Sequence, residues 1–113
     1  MVITSRHTKA CFDAWIICED LLANMVQVQR SFSKQITKTI DECALICLST
    51  FHALKSQSVN TKNYALLCVG ICEECAEFCD KLDEEHFKQC AKVCRQCSET
   101  MSALIPLSPK RED

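Results

Sequence analysis

The sequence predicts an all-α, antiparallel, up-down-up-down four-helix bundle with a cysteine-lined core, and three observations predict it. The chain holds one glycine, Gly70, and two prolines, Pro106 and Pro109, so few positions break a helix. Its 11 cysteines recur at gaps of 3, 4 or 7 within four segments, and such gaps return to one face of a helix that turns about 100° per residue. Those segments, about 20 to 25 residues each, are joined by short polar stretches, as in antiparallel bundles.

The first helix is expected from Ser5 to Gln29, broken by the QRSFS stretch. Ser31 or Ser33 can cap the second, which runs from Phe32 or Lys34 to Lys55. SQSVNT is the clearest loop, and Asn60 or Thr61 is the expected cap of a third helix from Lys62 to Leu82. Asp83 reads as the N-cap of the fourth, with Glu84 and Glu85 placed to favour its dipole. That helix reaches about Leu104. The domain reading is therefore a bundle over residues 1–105 and a short polar tail over 106–113.

Composition narrows the function classes. The 113 residues fit one domain. A net charge of −2 argues against a nucleic-acid binder that relies on a basic surface. No apolar run is long enough to span a membrane. Cysteine at this density would suit a secreted disulfide scaffold, but the opening MVITSRHTKACFDAW lacks the apolar stretch of a secretory signal, and the cysteine count is odd. The expectation is a cytoplasmic, reducing setting in which clustered cysteines serve metal or redox chemistry.

The cysteines form one stripe per helix: Cys11 and Cys18; Cys43 and Cys47; Cys68, Cys72, Cys75 and Cys79; Cys90, Cys94 and Cys97. The fourth helix repeats the frame of the third, with the thioether of Met101 in the last slot. Ala14, Leu22 and Met25 continue the stripe in the first helix, and Ile36, Ile40, Phe51 and Leu54 in the second, so the cysteine face is the core face. A few buried cysteines would be ordinary small hydrophobes. Eleven on four inward faces give up apolar packing for another benefit.

Cys72-x2-Cys75-x18-Cys94-x2-Cys97 matches the spacing of a four-cysteine zinc site. These pairs fall mid-helix with no turn residues, so the match reads as a by-product of helical spacing. Iron–sulfur spacings are absent, and a metallothionein-like chain would not need the periodic Leu, Ile and Phe. Charge favours Cu(I). Eleven thiolates in a dry interior are prohibitive, so the metal-free core is neutral thiol, and each Cu(I) replaces about one proton. Soft sulfur also suits Cu(I). A zinc-binding or thiol-redox bundle is the alternative; no catalytic constellation is legible.

On CVGICEECAEFC (Cys68 to Cys79), CAKVCRQC (Cys90 to Cys97) and the sparser pairs Cys11/Cys18 and Cys43/Cys47, the chain resembles the copper storage proteins from about Thr8 to Leu104. The resemblance implies multiple Cu(I) ions held along the core by pairs of thiolates, a homotetramer, and a cytosolic form. The 11 cysteines carry over as ligands. The sequence departs from the family in its fewer core cysteines: Leu22, Ile36, Ile40 and Thr50 take lining positions, which implies an apolar plug at the bottom of the bundle.

His7, one turn before Cys11, and Met101, one turn after Cys97, fall at the same end and are candidates to pass Cu(I) inward; Met25 and His86 stand near the other end. His52 falls off the cysteine face. Phe12, Ile16 and Ala23, with Leu45 and Leu48, form outward apolar stripes that suggest a subunit contact.

Overall fold

The computed structural model describes residues 2–27 and 34–105. Four helices make up its regular structure: α1 (Ser5–Gln27), α2 (Lys34–Ser56), α3 (Thr61–Asp80) and α4 (Glu85–Ser102). Each packs on its chain neighbour, and α1 also packs on α4, so the helices close an antiparallel ring. The diagonal pairs α1/α3 and α2/α4 make no backbone contact, which leaves an axial space for side chains. The expected break at QRSFS and the C-terminal tail lie outside the described residues. No described helix is long and apolar enough to cross a membrane.

The helix ends differ in detail from the sequence expectation. α2 finishes in a Schellman-type turn: Ser58 N–H donates to the Ala53 carbonyl at 3.0 Å and Gln57 N–H to Leu54 at 3.3 Å. The left-handed position, usually glycine, is Gln57 at φ 55°. Asn60 holds the N-cap position of α3 without a side-chain cap bond. Thr61 lies inside the helix and donates its hydroxyl to the carbonyls of Ser58, at 2.6 Å, and Ala53. Asp83 is not the cap of α4; Glu84 takes that position with extended backbone and no side-chain cap bond. α3 ends two residues before Leu82, and α4 gives way to a turn after Ser102, although Leu104 still reaches the core.

Two core assignments change. Leu21, not Leu22, is the buried leucine at the far end of α1, and Leu22 is half-buried against it. Phe51 leaves the axis and packs against Phe12, ring centroids 5.6 Å apart, with Trp15 edge-on to Phe12 at 5.7 Å. The cause is angular: Phe51 is two steps of four from Cys43, so it stands about 80° from Cys43 and about 60° off the midline of the Cys43/Cys47 stripe. Of the outward stripes, Leu45 is 63% exposed, Phe12 and Ile16 are exposed, and Leu48 is half-buried.

Between the helices the core has three zones. Leu21, Met25, Ile40 and Phe87 fill the end where α1 finishes and α4 begins. Thr50, Leu54, Met101 and Leu104 fill the opposite end. Sulfur occupies the middle.

Candidate metal centre

All 11 cysteines are free thiols, each 0% exposed. The stripe spacing turns each inward, and the ring of helices brings the four stripes onto one axis. Thiols from diagonal helices meet there: Cys43 of α2 lies 3.9 Å from Cys94 of α4.

The sulfurs form a continuous thread. Cys11 abuts Cys68 and Cys97. Cys68 is 3.7 Å from Cys97 and 3.9 Å from Cys47. Cys47 lies 3.5 Å from Cys72, and Cys72 lies 3.9 Å from Cys43. Cys94 continues to Cys18 and Cys90 at 4.0 Å each, and Cys75, Cys79 and Cys90 form the last group. Two four-thiol groups stand within this thread: Cys18, Cys43, Cys75 and Cys94, one from each helix, and Cys47, Cys68, Cys72 and Cys97, from α2, α3 and α4. In each of these groups all sulfurs lie within 4.8 Å of one another.

The zinc-like quartet of the sequence is split between them. Cys72 and Cys97 belong to one group, Cys75 and Cys94 to the other. The spacing match is thus a by-product of helical periodicity, while the real groups join residues from three or four helices and have no motif.

Burial disfavours the thiolate throughout the thread. Among themselves the thiols sort into donors and acceptors of S–H hydrogen bonds. Cys18, Cys43 and Cys72 stabilise a thiolate at Cys94, whose pKa falls to about 2. Cys11 and Cys47 lower that of Cys97 to about 6. Cys68 is likewise lowered, by Cys11 first, and Cys75 by Cys18 first. The donors go the other way: Cys68 and Cys97 push Cys11 up, Cys43 and Cys75 push Cys18 up, and Cys43 and Cys47 push Cys72 up, each with burial adding. The raised thiols keep their protons until a cation replaces them.

His7 is buried, 6% exposed, one turn outside Cys11. Its Nδ1 accepts a hydrogen bond from the Thr4 backbone N–H at 3.0 Å and lies 3.1 Å from the Thr4 hydroxyl, which places it in a capping box for α1. A metal at Nε2 would require the ring proton to sit on Nδ1 and would give up the Thr4 N–H bond. Met101 is fully buried. The antiparallel order sets His7 and Met101 at one end; Met25 is buried at the other, and His86 is exposed. His52 is exposed, edge-on to Phe51. Thr50, one turn beyond Cys47, satisfies its buried hydroxyl on the carbonyls of Ile46, at 2.7 Å, and Tyr64, at 3.3 Å. Cys97 backs a 270 Å³ groove between α1 and α4, lined also by Arg6, Lys9, Ala10 and Glu99.

Comparisons with known proteins agree with this geometry. An uncharacterised cysteine-rich protein of Bacillus subtilis (strain 168), YhjQ, is 30% identical, over 83% of this chain and 92% of its own. The Cu(I)-bound copper storage protein BsCsp3 superposes with a TM-score of 0.82 at 28% identity, covering 88% of this chain and 95% of that one. The apo form of copper storage protein 3 from Bacillus subtilis gives 0.84 at 29% identity, covering 92% and 100%. Residues 3–106 match the family model of the copper storage protein, Csp. With four helices, a sulfur-lined axis and a match along nearly its whole length, the chain belongs to the copper storage protein family.

Proposed function

We propose that the protein stores Cu(I), taking up several ions along its axis with Cys11, Cys18, Cys43, Cys47, Cys68, Cys72, Cys75, Cys79, Cys90, Cys94 and Cys97 as thiolate ligands. The observation that carries this reading is the thread of buried thiols, with sulfurs 3.5–4.0 Å apart along its middle and Cys75, Cys79 and Cys90 within 4.8 Å of one another at its end. Each ion can bridge two thiolates without a helix moving far, and one Cu(I) per thiolate leaves the dry core near neutral. Likeness to a Cu(I)-bound relative supports the choice of ion. The role is storage, and we assign no reaction.

Ions enter at the end shared by His7 and Met101. Apolar side chains pack at both ends, Leu21, Ile40 and Phe87 at the far one and Leu54 and Leu104 at this one, and it is at this end that a thioether stands one turn outside Cys97, which itself backs the surface groove. Met101 relays the ion. His7 takes part only by releasing its cap on α1. The setting is the reducing cytoplasm, where the thiols stay free.

Anaerobic Cu(I) titration of reduced protein, read by native mass spectrometry, tests the reading. The expected end point is about one ion per cysteine. Saturation at one or two ions would reject it. The protein assembles as a homotetramer through the exposed apolar stripes of α1 and α2. Light scattering checks this: Leu45→Glu should lower the mass, and a monomeric parent would refute the assembly.

A further inference from the structure

We infer that the group Cys47, Cys68, Cys72 and Cys97 is a divalent-ion site that takes one Zn²⁺ per chain when copper is absent and yields it to Cu(I). The inference stands on geometry and does not depend on the storage reading. Zn²⁺ binds four thiolates tetrahedrally with Zn–S of roughly 2.3 Å, which requires sulfur–sulfur edges of about 3.8 Å. In this group the edges Cys47–Cys72, Cys68–Cys97, Cys47–Cys68 and Cys68–Cys72 measure 3.5, 3.7, 3.9 and 3.9 Å, and every other edge lies within 4.8 Å. The four sulfurs outline a tetrahedron of the right size. A site whose ligands stand on packed helices avoids most of the ordering that a flexible zinc loop must undergo.

Charge sets the rank of the two ions. Four thiolates around one Zn²⁺ leave the filled site at −2 in a dry core. Four Cu⁺ entering the same four thiolates release Zn²⁺ and leave the group neutral. The zinc is therefore exchangeable. It holds the sulfurs of α2, α3 and α4 together while copper is scarce, and it leaves as copper arrives. The four-cysteine spacing visible in the sequence does not mark this site, since it shares only Cys72 and Cys97 with it.

The test uses the reduced, full-length protein under anaerobic conditions with Co²⁺ as the visible probe. The expected result is one Co²⁺ per chain with the intense visible bands of tetrahedral thiolate coordination, quenched by Zn²⁺ and by about four Cu(I). Cys68→Ser and Cys97→Ser should each abolish the bands. Cys79→Ser should keep them while lowering Cu(I) capacity. Circular dichroism of each variant confirms that its helices persist. A parent without tetrahedral bands overturns the inference, as do bands that survive Cys68→Ser but vanish with Cys18→Ser, or Co²⁺ that Cu(I) fails to expel. High Cu(I) capacity without Co²⁺ binding sinks this inference alone; loss of both sinks the storage reading as well.

Discussion

Cys72→Ala is the substitution that separates a shared thread from a row of independent sites. The Cys72 sulfur has three close neighbours, Cys47 at 3.5 Å and Cys43 and Cys68 at 3.9 Å. It also joins the two four-thiol groups through Cys43, beside the direct Cys43–Cys47 contact at 4.0 Å. If each Cu(I) bridges two neighbouring thiolates, removing this sulfur takes a ligand from about three ions. The expected loss is two to three ions from a total of about one per cysteine, allowing for one rearranged bridge. Cys11, at the end of the thread beside Cys68 and Cys97, should lose about one when changed to Ala. Structure survives in both variants: deleting one buried sulfur leaves a hole smaller than a Leu→Ala cavity and costs about 1 kcal/mol. Native mass spectrometry at saturation, backed by competition against a chromophoric Cu(I) chelator, counts the ions. Equal losses of one ion at both positions would refute bridging and leave isolated thiolate pairs.

Gly70 lies mid-helix on an exposed face with nothing within 4 Å of an added Cβ, so Gly70→Ala should raise apo stability by about 0.5–1 kcal/mol in urea melts with copper capacity unchanged. Metal-free stability should also depend on pH through the thiols whose pKa is raised in the fold, such as Cys11, Cys18 and Cys72. Their contribution is whole below the unfolded thiol's pKa of about 8.5 and is lost as pH rises above it, by up to about 1.4 kcal/mol per pH unit for each thiol. The lowered thiols, Cys68, Cys75, Cys94 and Cys97, add no further slope above that pKa, so thermal melts at pH 9 and 10 should show the apo midpoint falling, and the copper-loaded midpoint, with no thiol protons left, should not follow it.

Much of this molecule is legible one helix at a time. Gaps of 3, 4 and 7 suffice to turn every cysteine inward, and the same arithmetic sends His52 to solvent. What a single helix does not encode is its rotation and axial offset against its partners. Leu21 displaces Leu22 and Phe51 turns toward Phe12 because a rotation of a few tens of degrees decides between adjacent positions of a stripe. The sulfur groups need the offset too: Cys43 and Cys94 are 51 residues apart in sequence and 3.9 Å apart in space. Capping failed at Asp83 for another reason, since Glu84 holds the extended position and α4 begins one residue later. Gln57 in the left-handed turn carried no glycine or asparagine to announce it.

The placement of apolar residues explains how a core so rich in sulfur folds before metal arrives, and it yields a last expectation. Ile40, Leu21 and Phe87 stop one end and Leu54 and Leu104 the other, each contributing about 1.5–3 kcal/mol by burial. The thiols between them are small and weakly stabilising, but the ends fix the helix offsets that set sulfur spacing. Capacity and stability should therefore trade differently at the two margins of the thread. Thr50 and Ile40 are both fully buried, one turn beyond Cys47 and one turn before Cys43 respectively. Thr50→Cys exchanges a hydroxyl that already bonds two carbonyls for a thiol of similar volume; it should add about one Cu(I) for about 1 kcal/mol of apo stability. Ile40→Cys should add about one ion as well, but it removes apolar volume from the plug and should cost about 2 kcal/mol or more. Loading with copper should erase most of that difference, because the ions then tie α2 to its neighbours directly. Chemical denaturation of both variants, apo and loaded, measures it. Equal apo losses at the two positions would mean that the plug does not carry the fold and that the thiols themselves hold the helices in register.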